Sequence, residues 1–377
     1  VIVGFGTYDT SRHPRAGVLL AGLRARGLAV HEVNRPLGFS TAERVRMLRE
    51  PWRLPLLALR LVGCWAALVV AGLRARRRHG PPDAVLVGYL GHFDVVLARL
   101  VHPRTTVVLD HLVFAADTAL DRGARGLRVR LLRGLDRLAT ACADVVVVDT
   151  EEHRAMLPDP ARGVVVPVGA PDAWFVPDDR SASDEARRPD AGEPLRAIFF
   201  GLFTPLQGAT VLADALAVAL PRAAAEGRPI EVTLAGHGQD LSAVRERLDG
   251  VEGVRRVDWV EPDDLPALVA THDVCLGIFS ATPKGLRVVP NKVFQGLAAG
   301  CVVVTSDTAP QRRLLGDHLE LVPPADPDTL AERLVALTDP DVLAAARERA
   351  RAGRPHIRPA AVVGPLLDVL ATRGVRT

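Results

Sequence analysis

The sequence predicts an α/β protein of two Rossmann-like, doubly wound parallel-sheet domains facing a cleft. Three observations carry this. Twelve short β-branched or apolar runs alternate with helical stretches, the pattern of parallel strands covered on both faces. The alternation is interrupted by a polar, Pro/Asp/Arg-rich stretch at 177–194 and then restarts. The 377 residues are 48% hydrophobic and 24% charged, which suits about two domains of roughly 150 residues each. That composition excludes a disordered chain and a small stapled scaffold. Short, evenly spread apolar runs exclude a multi-span membrane protein, and the lack of a sequence period excludes a solenoid or propeller.

In the first half, strands are expected at 1–5, 28–33, 84–88, 106–109, 145–148 and 164–168. Helices are expected near 14–26, 41–79, 92–101, 123–142 and 151–157. In the second half, strands are expected at 195–200, 230–235, 254–259, 274–279, 301–305 and 319–322. The helices there fall near 208–225, 239–249, 262–270, 290–299, 308–315, 326–337, 341–352 and 359–372. The expected boundaries are a first domain over 1–176, a linker over 177–194, a second domain over 195–355, and a closing helix within 356–377 packing back on the first. Ligands in such sheets bind at the carboxyl ends of strands, so the loops that follow strands are where chemistry is sought.

Cys64, Cys142, Cys275 and Cys301 lie far apart in apolar runs. They read as core residues of a reducing, cytoplasmic protein rather than as a metal clip. The chain opens at Val1 directly on a strand, so a few residues are expected to precede it, and no signal peptide is visible. Charge is unevenly spread. Residues 1–178 hold 24 Arg against 17 Asp and Glu, and 41–80 alone holds nine Arg against two Glu. Within that segment, residues 54–73 carry a single charge, Arg60, between arginine-rich flanks. This suits a helix resting on anionic lipid, or a long domain helix with solvated arginines, better than a bilayer span. Nucleic acid is not expected, since the basic stretch lacks interleaved aromatics beyond Trp52 and Trp65.

After the first strand comes Gly4-Phe5-Gly6-Thr7-Tyr8-Asp9, then His13-Pro14. Asp9 stands where a dinucleotide fingerprint needs its third glycine, so the loop is a close-approach turn rather than an NAD site. Asp110 and His111 end the fourth strand, with Asp117 following, and His92 lies just after the third; all are candidates for acid/base or hydroxyl-positioning work. In the second half, Phe199-Phe200-Gly201 leads through Phe203, Thr204 and Gln207 into a helix, a strand–turn–helix suited to phosphate. Gly236 and His237 follow the next strand and offer a place for a base or ribose. The most specific stretch runs from Lys284 through Arg287, Pro290, Asn291, Lys292 and Gln295 to Gly300. Pro290 suits a first helical turn and Gly300 a helix end. It contains both lysines of a chain with 47 basic residues, and a compact ammonium suits phosphate. No clustered His/Cys spacing suggests a metal.

Taken in order, these segments resemble the retaining, two-domain nucleotide-sugar glycosyltransferases of family 4, over nearly the whole chain. The match rests on Pro290–Gly300 and on Tyr8-Asp9…His13-Pro14-Arg15. It is supported by Asp110…Asp117-Thr118…Asp121, by Asp144…Asp149-Thr150, by Val166–Ala170 and by Phe199–Gly208. The resemblance implies a GT-B enzyme that moves a sugar from a nucleoside-diphosphate sugar to a hydroxyl of a lipid-linked, polysaccharide or natural-product acceptor. It implies no metal and no cofactor beyond that donor substrate. Gly201, Phe203, Thr204, Gln207, Gly236, His237, Lys284, Arg287, Pro290, Asn291, Lys292 and Gln295 would hold the donor. Gly6, Tyr8, Asp9, His13 and Asp117 would line the acceptor side, with Asp110, His111 and His92 as catalytic candidates. Two departures stand out. Arg287 and Gln295 occupy positions where the family commonly has glutamates, and Leu202 and Gln207 lie near places where it often has Arg and Lys. Lys284, Arg287 and Lys292 are expected to supply the missing positive charge. The alternatives are a sugar-nucleotide 2-epimerase on the same fold, or a non-catalytic sugar-nucleotide-binding partner. Localisation is expected to be cytoplasmic, or peripheral at the inner face of the membrane through 41–80.

Overall fold

A computed structural model of the chain describes residues 1–10, 13–38, 50, 52, 54–121, 123–176 and 193–375. Residues 177–192 of the predicted 177–194 linker, and residues 41–49, 51 and 53 of the predicted 41–79 helix, lie outside them. Among the described residues, twelve strands form two six-stranded sheets, and every strand pair is parallel. The chain divides into two compact units, Val1–Pro167 with Pro359–Thr377, and Val168–Arg358.

In the first unit the strands are β1 (Ile2–Gly6), β2 (Val30–Asn34), β3 (Ala84–Val87), β4 (Thr106–Asp110), β5 (Val145–Val148) and β6 (Gly163–Val165). They lie in the order β2-β1-β3-β4-β5-β6. Alternate residues feed opposite faces, as a strand period of two requires. Ile2, Leu86, Val108 and Val147 pack on one face with Leu19 and Leu20 of helix Pro14–Ala25 and Leu366 of helix Gly364–Thr372. Val3, Val85, Val107 and Val146 pack on the other with Leu68, Val95 and Ala139, which come from helices Leu54–His79, Asp94–Val101 and Leu127–Ala141. Gly22 lets the closing segment approach: a Cβ there would lie 2.2 Å from the Pro359 carbonyl oxygen.

In the second unit the strands are β7 (Leu195–Phe200), β8 (Ile230–Ala235), β9 (Val254–Val257), β10 (Val274–Leu276), β11 (Val302–Ser306) and β12 (Glu320–Val322). Their order is β12-β11-β10-β7-β8-β9. Helices Ala209–Ala225 and Pro327–Ala336 cover one face through Leu212, Leu216, Leu330 and Leu334.

Two helical expectations are corrected. The stretch read as one helix over 123–142 begins at Leu127, and a separate helix, Ala115–Asp121, precedes it. The closing helix is broken into Pro359–Val362 and Gly364–Thr372. None of the four cysteines is in a disulfide; Cys142 is half-buried and the other three are buried.

Candidate functional site

Each sheet reverses its winding once, and the crevice outside the carboxyl ends at that point is where such folds bind ligands. In the second unit the reversal lies between β7 and β10. The loop after β7 is knitted to the loop after β8: Phe203 N–H donates to the His237 carbonyl at 3.0 Å, and Asp240 N–H to the Phe203 carbonyl at 3.0 Å. Only glycine permits this approach. A Cβ at Gly236, whose φ is +128°, would lie 2.0 Å from the Gly201 oxygen. Replacing Gly236 with alanine is therefore expected to cost about 3 kcal/mol. That would lower the Tm of the chain by roughly 6–12 °C, which calorimetry can read.

Within this frame Lys292 has an unusual setting. It lies in the first turn of helix Asn291–Ala298 and is 6% exposed. Among the described residues its Nζ has no hydrogen-bond partner. It rests 3.5 Å from the centroid of the Phe199 ring, and a Cβ at Gly201 would lie 3.8 Å from it. Burial pushes its pKa from 10.5 down to about 7, with the neighbouring Cys275 opposing. An amine held this way lacks a counter-charge and lies beside a loop with a glycine in a positive-φ conformation.

The other predicted residues distribute around it. Gln207 has a buried side-chain oxygen without a partner, and its carbonyl accepts from Phe279 N–H at 3.0 Å. Thr204 and Gln295 are half-buried, while Gly201, His237 and Asn291 are exposed. Pro290 precedes helix Asn291–Ala298. Lys284 and Arg287 are half-buried in a short turn; the Arg287 Nε donates to the Pro283 carbonyl at 2.8 Å. Phe203 is a correction: it is 1% exposed and packs edge-on against Phe199 at 5.2 Å, because the knitted loops turn it into the core. Trp259 escaped the sequence reading. It is 61% exposed, its ring is 6.4 Å from that of His237, and it follows β9. An exposed tryptophan at a strand's carboxyl end was the available signal.

In the first unit the reversal lies between β1 and β3. Gly6 ends β1 at φ +142°. Behind it, Asp94 accepts from Thr7 N–H at 2.7 Å and from Trp65 Nε1 at 2.9 Å. Asp9 accepts the His13 N–H through its carbonyl at 2.9 Å, and the His13 ring lies 4.5 Å from that of Tyr89. Asp117 sits in the first turn of Ala115–Asp121. Tyr8 is a second correction. It is buried in the core over Gly4 and Gly88, with its hydroxyl 3.2 Å from Glu32, and does not face outward. Burial, reinforced by Glu32, raises its pKa.

Asp110 is 2% exposed. Its Oδ1 accepts from Arg15 Nε at 3.2 Å, while the same guanidinium donates to the carbonyls of Val166 at 2.9 Å and Pro167 at 2.5 Å. Burial raises the Asp110 pKa and the Arg15 charge opposes it. Asp110 is thus clamped by a buried cation rather than standing as an open base, although its Oδ2 has no hydrogen-bond partner among the described residues. His111 is 1% exposed; its Nε2 has no hydrogen-bond partner among the described residues and lies 4.0 Å from Asp136 Oδ1. Burial pushes its pKa down to about 3; His92 and His153 add to the shift and Asp136 opposes it. His92 Nε2 lies 3.0 Å from Asp136 Oδ1. Asp136 also accepts the backbone N–H groups of Ala115 at 2.9 Å and Ala116 at 3.0 Å. Burial pushes the Asp136 carboxyl up, but these hydrogen bonds outweigh it and hold it below its usual value. One ligand atom each of His92, His111 and Asp136 lie within 4.8 Å of one another, so together they could also hold a cation.

A recess of about 400 Å³ lined by Arg76, Asp83, Arg104 and Arg373 lies at the amino-terminal ends of β3 and β4. That is the end of the sheet where such folds do not bind ligands.

Residues 194–339 match the family described as Glycosyl transferases group 1. No curated protein matches the sequence. Among solved structures, the chain is similar to HepE of Anabaena in complex with UDP, at 14% identity and a TM-score of 0.64, covering 98% of this chain and 99% of that one. It is similar to a sucrose-phosphate synthase of Thermosynechococcus elongatus, at 16% identity and a TM-score of 0.62, covering 98% and 96%. A glycosyltransferase of Rickettsia africae matches at 13% identity and a TM-score of 0.62, covering 100% and 99%. The chain thus has the two-domain GT-B fold of these structures, and residues 194–339 of its second unit match the Glycosyl transferases group 1 family.

Proposed function

We propose that this protein is a glycosyltransferase that transfers a sugar, with retention and without a metal, from a nucleoside-diphosphate sugar to an acceptor hydroxyl, as family 4 enzymes do. One observation carries the reading. The buried, unpartnered Lys292 Nζ lies beside Gly201 at the winding reversal of the glycosyltransferase domain's sheet. A diphosphate is the group that satisfies both a stranded ammonium and the free N–H groups at a helix start. The N-terminus of Ala209–Ala225, reached through the turn at Thr204–Gly208, adds its dipole. The exposed indole of Trp259 beside His237 offers a flat surface for the base. HepE was solved with UDP and with UDP-glucose, which makes a uridine donor the first to try. In the retaining step, attack and departure occur on the same face of the sugar, with a donor phosphate oxygen taking the acceptor proton. Lys292 then stabilises the leaving diphosphate. Asp110, His111 and His92 serve the transferring sugar or acceptor, Asp110 through its hold on Arg15. The enzyme works in the cytoplasm, in peripheral contact with the membrane through 41–80.

The test is thermal shift of the purified chain against UDP, GDP, dTDP and ADP sugars, with and without Mg²⁺. At one hundred times Kd a ligand adds about 2.7 kcal/mol of stability. One Mg²⁺-independent hit is expected. No shift with any nucleotide overturns the reading. Binding without transfer to a broad acceptor panel marks a non-catalytic partner, and release of isomerised sugar nucleotide marks an epimerase.

A further inference from the structure

Helices Leu54–His79, Asp94–Val101 and Leu127–Ala141 lie side by side on one face of the first sheet. Leu54–His79 and Leu127–Ala141 each bury one stripe and expose a second apolar stripe on the opposite side. In Leu54–His79, Cys64, Leu68 and Gly72 face inward. Leu59, Val62, Val70 and Leu73 recur at helical spacing and face solvent, Leu59 being 71% exposed. In Leu127–Ala141, Val129 and Ala139 are buried, while Leu127, Leu131 and Leu138 are 70%, 65% and 51% exposed. Between these helices, Phe93 and Leu100 continue the exposed apolar row. Single exposed leucines are ordinary, but an aligned patch across three neighbouring helices is not.

The charges on this face have one sign. Arg74, Arg77 and Arg78 on the first helix and Arg128, Arg133 and Arg137 on the third are exposed. The only carboxylates in the three helices, Asp94 and Asp136, are buried. Arginines flanking an apolar stripe, with no exposed anion among them, complement an anionic lipid surface. Leu54–His79 is long and apolar enough to cross a membrane. However, its inner stripe is part of the sheet's core, and Trp65 Nε1 is hydrogen-bonded to Asp94. Spanning would strip both contacts, which favours an interfacial over a spanning placement of this helix.

We propose that the outer face of all three helices, and not the segment around 41–80 alone, is the surface on which this protein docks to anionic lipid. This rests on the reading of a peripheral membrane contact and extends it to Leu127–Ala141, which the sequence reading did not connect with lipid. Docking by three parallel helices holds the first unit at a fixed tilt on the bilayer.

The experiment is co-sedimentation of the full chain with phosphatidylcholine vesicles, with and without phosphatidylglycerol. Two double variants are compared with the parent chain: Leu127→Ser with Leu131→Ser, and Leu59→Ser with Val70→Ser. Thermal melts check that each stays folded. The parent is expected to bind only the anionic vesicles, less at high salt, and each variant to bind roughly tenfold more weakly. Loss in the Leu59/Val70 variant alone, with Leu127/Leu131 binding fully, overturns the three-helix surface but leaves contact through Leu54–His79 standing. No vesicle binding by the parent overturns both. A parent dimer that the leucine variants dissociate, without any vesicle binding, makes the face a self-association surface and also overturns the proposal.

Discussion

Replacing Lys292 by methionine is expected to weaken nucleotide-sugar binding by about 10- to 150-fold, the worth of a charged hydrogen bond of roughly 1.5–3 kcal/mol. The same change is expected to leave the chain as stable or more stable near neutral pH, because it removes a desolvated amine without a partner. The pH dependence separates this from a generic packing effect. In the folded chain the amine has a pKa of about 7, against an ordinary 10.5. Below about pH 7 it is protonated in the folded and unfolded states alike, so the full cost of burying the charge is felt. Between about pH 7 and 10.5 the unfolded chain holds a proton that the folded chain has released, and stability rises with pH across that window. Denaturant melts should show this rise in the parent and its loss in Lys292→Met. A bound diphosphate favours the ammonium and raises its pKa. Binding above pH 7 should therefore take up a proton, and affinity should fall by up to about tenfold per pH unit. Calorimetry in buffers of different ionisation enthalpy reads the proton directly. Donor binding without proton uptake would show that Lys292 is neutral or engaged elsewhere in the complex.

His111→Gln is expected to lower kcat by about 10- to 150-fold, the worth of a hydrogen bond of roughly 1.5–3 kcal/mol to the charge that develops on the transferring sugar, with KM for the donor changed far less. Glutamine fills much of the same volume, so the Tm should stay within a few degrees, and the loss reports chemistry rather than unfolding. The imidazole is held neutral by burial, with the charges of His92 and His153 acting in the same direction. Its contribution should accordingly be level from about pH 5 to 8 instead of falling through the usual histidine range. A kcat that drops with an apparent pKa near 6.5 in the parent but not in the variant would contradict a neutral His111.

Much of the architecture was legible because it depends on local pattern. β-branched runs such as Val145–Val148 and Ile230–Ala235 carry their strand identity in four to six residues. Pro290 and Gly300 bracket a helix for reasons internal to the backbone. The candidate site was legible in outline for a related reason, since loops at strand ends can be found once the strands are found. The missed helix Ala115–Asp121 shows where this stops. Its first N–H groups are capped by Asp136 from about twenty residues downstream, a contact that no window around Ala115 contains. Tyr8 and Phe203 were read as facing a ligand because they follow strands, but the fold turned them inward.

The sequence alone therefore determined the fold class, the glycine-bearing loops at the strand ends and the stretch from Lys284 to Gln295, all set by residues close along the chain. Tertiary structure decided the electrical state of the site. It buried Lys292 against Phe199, clamped Asp110 with Arg15 from 95 residues earlier in the chain, and shielded His111 from water. It also decided which of two apolar stripes on Leu127–Ala141 faces the sheet and which faces out. Periodicity reveals that a helix has apolar stripes, but desolvation and partner choice depend on what the rest of the chain places against them.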